Sequence, residues 1–258
     1  MTLTLSIVWC SKIEFHQLSL FYMIGIIVQL LISWLLIWFF CKENLSVLGM
    51  KPNAERTSMF FIFLAVTIFS CSSGFFLRMY FGKESWVLNP LFSTELLFKG
   101  IWWNLKSVLF EELIFRGVIL YILIKKLGPS KAIIISSVAF GIYHWFTFEI
   151  FGNLSSMIPV FILTGLVGVL YAYGYVKTNS LYATIGMHFG WNFTKGFLFS
   201  EGSIGNGIFV QVKPIPVVSV SYFVYYSVML TPFILFFCLN YIICSLIILR
   251  EARRPLSS

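Results

Sequence analysis

Four stretches of the chain carry no charged residue: Gln17 to Cys41 over 25 residues, Thr57 to Leu77 over 21, Ile150 to Val176 over 27 and Pro214 to Leu249 over 36. Each exceeds the roughly 20 apolar residues that take an α-helix across the hydrocarbon of a bilayer. Ala132 to Phe148 and Thr178 to Thr194 are uncharged over 17 residues each, and their apolar flanks can lengthen them to a span. A seventh candidate, Asn104 to Ile124, is apolar around Lys106, Glu111, Glu112 and Arg116. The pattern predicts an all-α, polytopic membrane helix bundle of about seven transmembrane helices, or eight if Trp86 to Trp103 enters as a partial or re-entrant helix. The first run is too long for a signal-peptide core and ends in no A-x-A-like site, so it reads as a retained span. Linkers are short, and the chain shows no repeat, low-complexity tract or hydrophilic domain. One integral membrane domain over residues 1–258 is expected, with a motif-bearing core at about 93–200.

Composition sharpens this reading. The 258 residues are 59% hydrophobic and 11% charged, against about a quarter charged in a soluble domain, and the mean hydropathy is +0.91. A water-soluble globule is excluded. All 10 acidic residues are Glu, which removes every site built on Asp. The net charge of +8 is scattered at the ends of apolar runs and forms no basic stripe, so it argues for a lipid bilayer as the partner and against nucleic acid. An N-terminus placed outside puts Lys42, Lys51, Arg56, Lys125, Lys126, Lys131, Lys177, Arg250, Arg253 and Arg254 in the cytoplasm. That excess favours a multi-pass protein of the cell membrane with a cytoplasmic C-terminus. Cys10, Cys41, Cys71, Cys238 and Cys244 show no CxxC spacing, so neither a zinc site nor a disulfide framework is indicated.

Ionisable side chains inside a span cost roughly 2.5–3.5 kcal/mol each at the helix centre, so they persist where they face a partner or a wet cavity. On a helix Glu112 and Arg116 are four residues apart and meet on one face, where the guanidinium can neutralise a carboxylate. Glu111 lies about 100° away with no intrahelical partner, which suits it to take a proton from water. The competing reading makes all three a structural ion-pair cluster. Two of the three histidines, His144 in FGIYHW and His188 in MHFGWN, also lie within spans, whereas His16 precedes the first. His188 and Asn192 project from one helical face and suit holding a carbonyl oxygen or a water. Phe140, four residues before His144, can pack beside it. Gly186 and Gly190, with Gly168 and Ala172 in the preceding span, have the spacing of close helix packing. The aromatic residues read as mostly lipid-facing and interfacial.

In order along the chain, FEELIFRG at Phe110 to Gly117, FGIYH at Phe140 to His144 and HFGWN at His188 to Asn192 resemble the EExxxR, FxxxH and HxxxN motifs of the CPBP family. These are the type II CAAX prenyl endopeptidases and their bacterial relatives, also called Abi proteins. The resemblance covers about Ser107 to Asn192, and LSVLGMKP at Leu45 to Pro52 is similar to a looser loop pattern of bacterial members. It implies an intramembrane endopeptidase in which Glu111 activates the hydrolytic water assisted by His144, Glu112 and Arg116 shape the acidic site, and His188 with Asn192 stabilise the oxyanion. Family members are described both as metalloproteases and as metal-independent glutamate proteases. Glu111, His144 and His188 could ligate a divalent metal such as zinc, but there is no HExxH. Reading His188 and Asn192 as a hydrogen-bonding pair favours the metal-free mechanism, with no cofactor assigned.

The expected substrate is a membrane peptide or protein, and bacteriocin maturation or self-immunity is a family-level role. Two other classes compete: a non-catalytic membrane protein that binds a toxin or partner, and a proton-coupled transporter using Glu111 and His144 as a relay. The orientation above opens the site outward, whereas the resemblance to CAAX enzymes implies access from the cytoplasm.

Overall fold

The computed structural model describes residues 23–200, 207–213 and 215–252. His16, Cys10, the start of the first run at Gln17, Pro214, Arg253 and Arg254 lie outside the described residues. The chain is an all-α bundle with one small sheet. Its helices are α1 (Met23–Cys41), α2 (Ala54–Phe81), α3 (Thr94–Phe115), α4 (Val118–Leu127), α5 (Pro129–Thr147), α6 (Leu154–Thr178), α7 (Leu181–Phe193) and α8 (Tyr222–Ala252). A short 3-10 turn, Leu45–Leu48, follows α1, and a π-helical turn, Thr194–Leu198, prolongs α7.

Four of these helices, α1, α2, α6 and α8, are long and apolar enough to cross a membrane by length and composition alone. The other three expected spans map onto α5, α7 and the α3–α4 pair. The stretch expected as one helix over Asn104 to Ile124 is broken: α3 ends at Phe115 and α4 starts at Val118. A Cβ on Gly117 would lie 2.2 Å from the carbonyl oxygen of Leu113, closer than any side chain tolerates, so glycine is required where the chain turns. The Phe115 carbonyl near this break accepts a hydrogen bond from Ser136 Oγ of α5 at 2.8 Å, which satisfies a backbone group that lipid could not.

Trp86 to Trp103 does not form a separate re-entrant helix. Residues 94–103 are the first turns of α3, started by Ser93, whose hydroxyl accepts from Leu96 N at 3.1 Å; this is an N-cap. Trp86–Leu88 is instead a strand, β1, paired antiparallel with β2 (Phe209–Gln211) in the register Trp86 to Gln211, Val87 to Val210 and Leu88 to Phe209. This sheet sits at the end of the bundle opposite the lysine-bearing turns around Lys51, Lys125 and Lys177.

Small residues set the packing. A Cβ on Gly186 would meet the Phe60 carbonyl oxygen at 2.6 Å, and one on Gly190 would meet Thr67 Cβ at 3.0 Å, so α7 lies directly on α2. Gly168 brings α6 equally close to Ser137 of α5. The core gathers Phe63 of α2, Phe115 of α3, Phe140 of α5, Tyr171 of α6, Met187 of α7 and Phe236 of α8 around a common centre. Asn240 of α8, buried, donates to the Phe236 carbonyl at 2.8 Å and meets Thr67 of α2 at 3.4 Å.

Candidate active site

The last turns of α3 bring Glu111, Glu112 and Arg116 to the middle of the bundle. Arg116 and Glu112 have no solvent exposure, and Arg116 Nη1 donates to Glu112 Oε1 at 3.1 Å. The guanidinium also donates to the Gly168 carbonyl of α6 at 3.4 Å through Nη2 and lies 4.2 Å from the Phe140 ring centroid. This cation is therefore held by a carboxylate, a carbonyl and an aromatic face, an arrangement that a lysine could not reproduce.

His188 enters from α7 between the two carboxylates. Its Nδ1 lies 2.8 Å from Glu112 Oε1 and its Nε2 lies 3.7 Å from Glu111 Oε2. Because the Glu112 carboxylate already accepts from Arg116, Nδ1 carries the proton and donates, which leaves Nε2 facing Glu111. Glu111 Oε2 is buried and finds no hydrogen-bond partner among the described residues. The adjacent glutamates thus differ: Glu112 Oε1 takes both Arg116 and His188, whereas Glu111 has only the longer approach of His188; the Oε2 atoms of both are buried with no hydrogen-bond partner among the described residues.

His144 of α5 is oriented by its own helix, with Nδ1 2.8 Å from the Phe140 carbonyl oxygen. A carbonyl only accepts, so Nδ1 carries the proton and Nε2 is the ring's remaining hydrogen-bonding atom. The Phe140 ring stands 4.4 Å from the His144 ring and 6.0 Å from the His188 ring. It joins the two histidines across the site without a hydrogen bond between them. Asn192 sits one turn beyond His188 on α7; among the described residues its carboxamide forms no hydrogen bond with His188, whose two nitrogens both face glutamates.

Tyr171 of α6 is a member of this cluster that the sequence pattern does not single out. It is buried, its ring stacks on His188 at 5.0 Å and 27°, and the Arg116 guanidinium lies 5.1 Å from its centroid. The aromatic residues are therefore not all lipid-facing. The one sequence signal for Tyr171 is its position beside the small-residue pair Gly168 and Ala172, which marks a close helix contact. Glu111, His144 and His188 do not assemble a metal-ligand set: among the described residues no three His, Cys or Glu side chains gather closely enough to hold an ion.

A cavity of about 320 Å³ opens between α2, α3 and α7. Its walls are apolar, with Leu105 and Leu109 on α3 and Phe60 on α2, and Glu112 is its one charged lining residue. Met50, Leu181 and Tyr182 line it toward the lysine-bearing end.

Residues 86–194 match the family model described as Type II CAAX prenyl endopeptidase Rce1-like. This part of the chain is similar to that family. The match encloses α3 through α7 and so all six motif residues, and the family is a CAAX protease, a peptide hydrolase. Over these residues the chain is similar to a CAAX-type peptide hydrolase, and its long apolar helices are those of a membrane protein. No curated protein and no solved structure matches it.

Proposed function

We propose that Glu111 is the base that activates water for hydrolysis of a peptide bond in a membrane-associated peptide or protein. The observation that carries this reading is the contrast between Glu112, whose Oε1 is held by Arg116 and His188, and Glu111, which has no arginine or lysine partner among the described residues and whose buried Oε2 lies 3.7 Å from His188 Nε2. Glu111 takes a proton from water as the water oxygen bonds to the scissile carbonyl carbon. The same proton then passes to the leaving nitrogen as the C–N bond breaks, which returns Glu111 to its starting state.

His144 steadies the water through Nε2. His188 and Asn192 serve the oxyanion; because Nδ1–H of His188 is committed to Glu112, the His188 Nε2 edge and the Asn192 carboxamide are the groups left for the substrate. A donor of this kind is worth about 100-fold or more in rate. Glu112 and Arg116 act through His188 by fixing its plane and tautomer. The apolar cavity ending on Glu112 supports a substrate with a large apolar segment, admitted from the lysine-bearing side. With that side cytoplasmic, as is the C-terminus of this cell-membrane protein, access from the cytoplasm agrees with the family. Bacteriocin maturation or self-immunity is a role consistent with such a substrate.

The test compares membrane peptides by mass spectrometry in cells carrying the wild-type protein, Glu111→Ala or His144→Ala at equal membrane levels. Peptides that appear only with the wild type identify the substrate. Full activity in both variants would leave a non-catalytic binding protein as the better reading.

A further inference from the structure

A second built cavity, of about 120 Å³, lies between α2, the end of α7 and α8, away from the glutamates. Its floor is Cys71, Phe75, Trp191, Met229 and Phe233. From Cys71 to Arg78 of α2, seven helical rises, it extends about 10 Å along the helix. Gly74 and Pro232 also line it and pack on each other, a Cβ built on the glycine lying 3.0 Å from the proline Cγ.

Two cations, Arg78 and Lys195, line this cavity, and no carboxylate does. The neighbouring cavity of about 190 Å³ that shares Arg78, Val228 and Met229 also contains Glu84, which pairs with Arg78, so Lys195 carries the uncompensated charge of the first cavity. Arg78 is placed rather than loose: its guanidinium lies 4.6 Å from the Phe75 ring and its Nε 3.6 Å from Glu84. Lys195, exposed on the π-helical turn after α7, forms no ion pair among the described residues. Both cations sit at the sheet end of their helices, Arg78 at 5.9 Å from the Trp86 ring, the depth at which cationic and aromatic side chains meet the headgroup layer. Paired cations above an apolar groove between spans match an anionic headgroup above a hydrocarbon chain.

We infer that this cavity is a binding site for an anionic phospholipid, with its phosphate between Arg78 and Lys195 and an acyl chain on the Phe75, Met229 and Phe233 floor. The site is linked to the catalytic cluster through two intervening rings. Trp191 of its floor packs on Phe236 at 4.9 Å, Phe236 meets Tyr171 at 6.2 Å, and Tyr171 stacks on His188. The inference does not depend on the peptidase reading, and its test needs no substrate.

The full-length protein is exchanged into mixed micelles holding equal dioleoyl-phosphatidylglycerol and dioleoyl-phosphatidylcholine, and retained lipid is counted by native mass spectrometry. Phosphatidylglycerol is expected to be retained preferentially. Lys195→Gln should weaken its retention about fivefold, the effect of one cation near a membrane surface, and Lys195→Arg should restore it. Met229→Trp, which fills the cavity and leaves both charges, should abolish retention. Equal retention of the two lipids overturns the assignment, as does a Lys195→Gln variant that binds like the wild type. Displacement by inorganic phosphate at the same concentration would reduce the site to a simple anion site. Displacement by a peptide ending in a free carboxylate, with no phosphatidylglycerol retained alone, would give it to a peptide.

Discussion

Arg116 offers the sharpest physical test of the site, because three kinds of contact converge on one fully buried cation. Arg116→Met removes the donor at 3.1 Å from Glu112 Oε1 and the bond to the Gly168 carbonyl. The Glu112 carboxylate is then left with no solvent exposure and without the Arg116 cation. Breaking a buried pair by removing one ion costs about 3–5 kcal/mol, because the remaining charge has no water to repair it. Against a typical total of about 5–15 kcal/mol, that is enough to unfold a sizeable fraction of the molecules. The measurement is unfolding in mixed micelles by SDS titration, followed by tryptophan fluorescence. Glu112→Gln combined with Arg116→Met should recover most of the loss, since the amide still accepts from His188 Nδ1 and carries no charge. The double-mutant cycle should give a coupling of about 2 kcal/mol or more. If Arg116→Met costs under about 1 kcal/mol, or if the double variant is as unstable as the single one, the buried-pair argument is wrong.

Four further outcomes follow from the same geometry. Glu111→Gln should lower cleavage at least about 100-fold while leaving the melting temperature equal or higher, because it neutralises a buried oxygen that has no partner; peptide release and a melt in the same detergent check both halves. Tyr171→Leu should reduce turnover by about tenfold or less, the stack being worth about 0.5–1.5 kcal/mol, and Tyr171→Phe should keep it; equal loss in both would assign the effect to the hydroxyl. Gly186→Ala should destabilise by about 1–3 kcal/mol through overpacking against the Phe60 carbonyl, and an unchanged melt would show that α2 and α7 can separate freely. Outside the membrane, Lys125 and Tyr121 hydrogen-bond Glu43 and hold its carboxyl below its ordinary value of 4.5. The stability that this contact adds is present above 4.5 and is lost as pH falls through the lowered folded value. Glu43→Gln should remove that acid-side loss in a pH series of melts.

Much of this molecule is readable from residue order. Long uncharged runs locate α1, α2, α6 and α8, because a helix in lipid must be apolar over its length and nothing else satisfies the backbone there. The spans α3, α5 and α7 are less apparent, because the residues that make the site also dilute the apolar pattern. The break at Arg116 and Gly117 was not legible: Gly117 reads as one more small residue until the Leu113 carbonyl is seen beneath it. The strand at Trp86–Leu88 was hidden as well, since its partner, Phe209–Gln211, lies more than 100 residues away.

The sequence by itself determined the membrane class, the motif residues and the one-face pairing of Glu112 with Arg116, because helical periodicity and the cost of charge in lipid are local rules. Only the tertiary structure decided which glutamate His188 would engage, that Phe140 bridges the two histidines, and that Tyr171 covers the imidazole. Those contacts join α3, α5, α6 and α7, and their geometry depends on how closely glycine lets the helices approach, a quantity that no single helix contains.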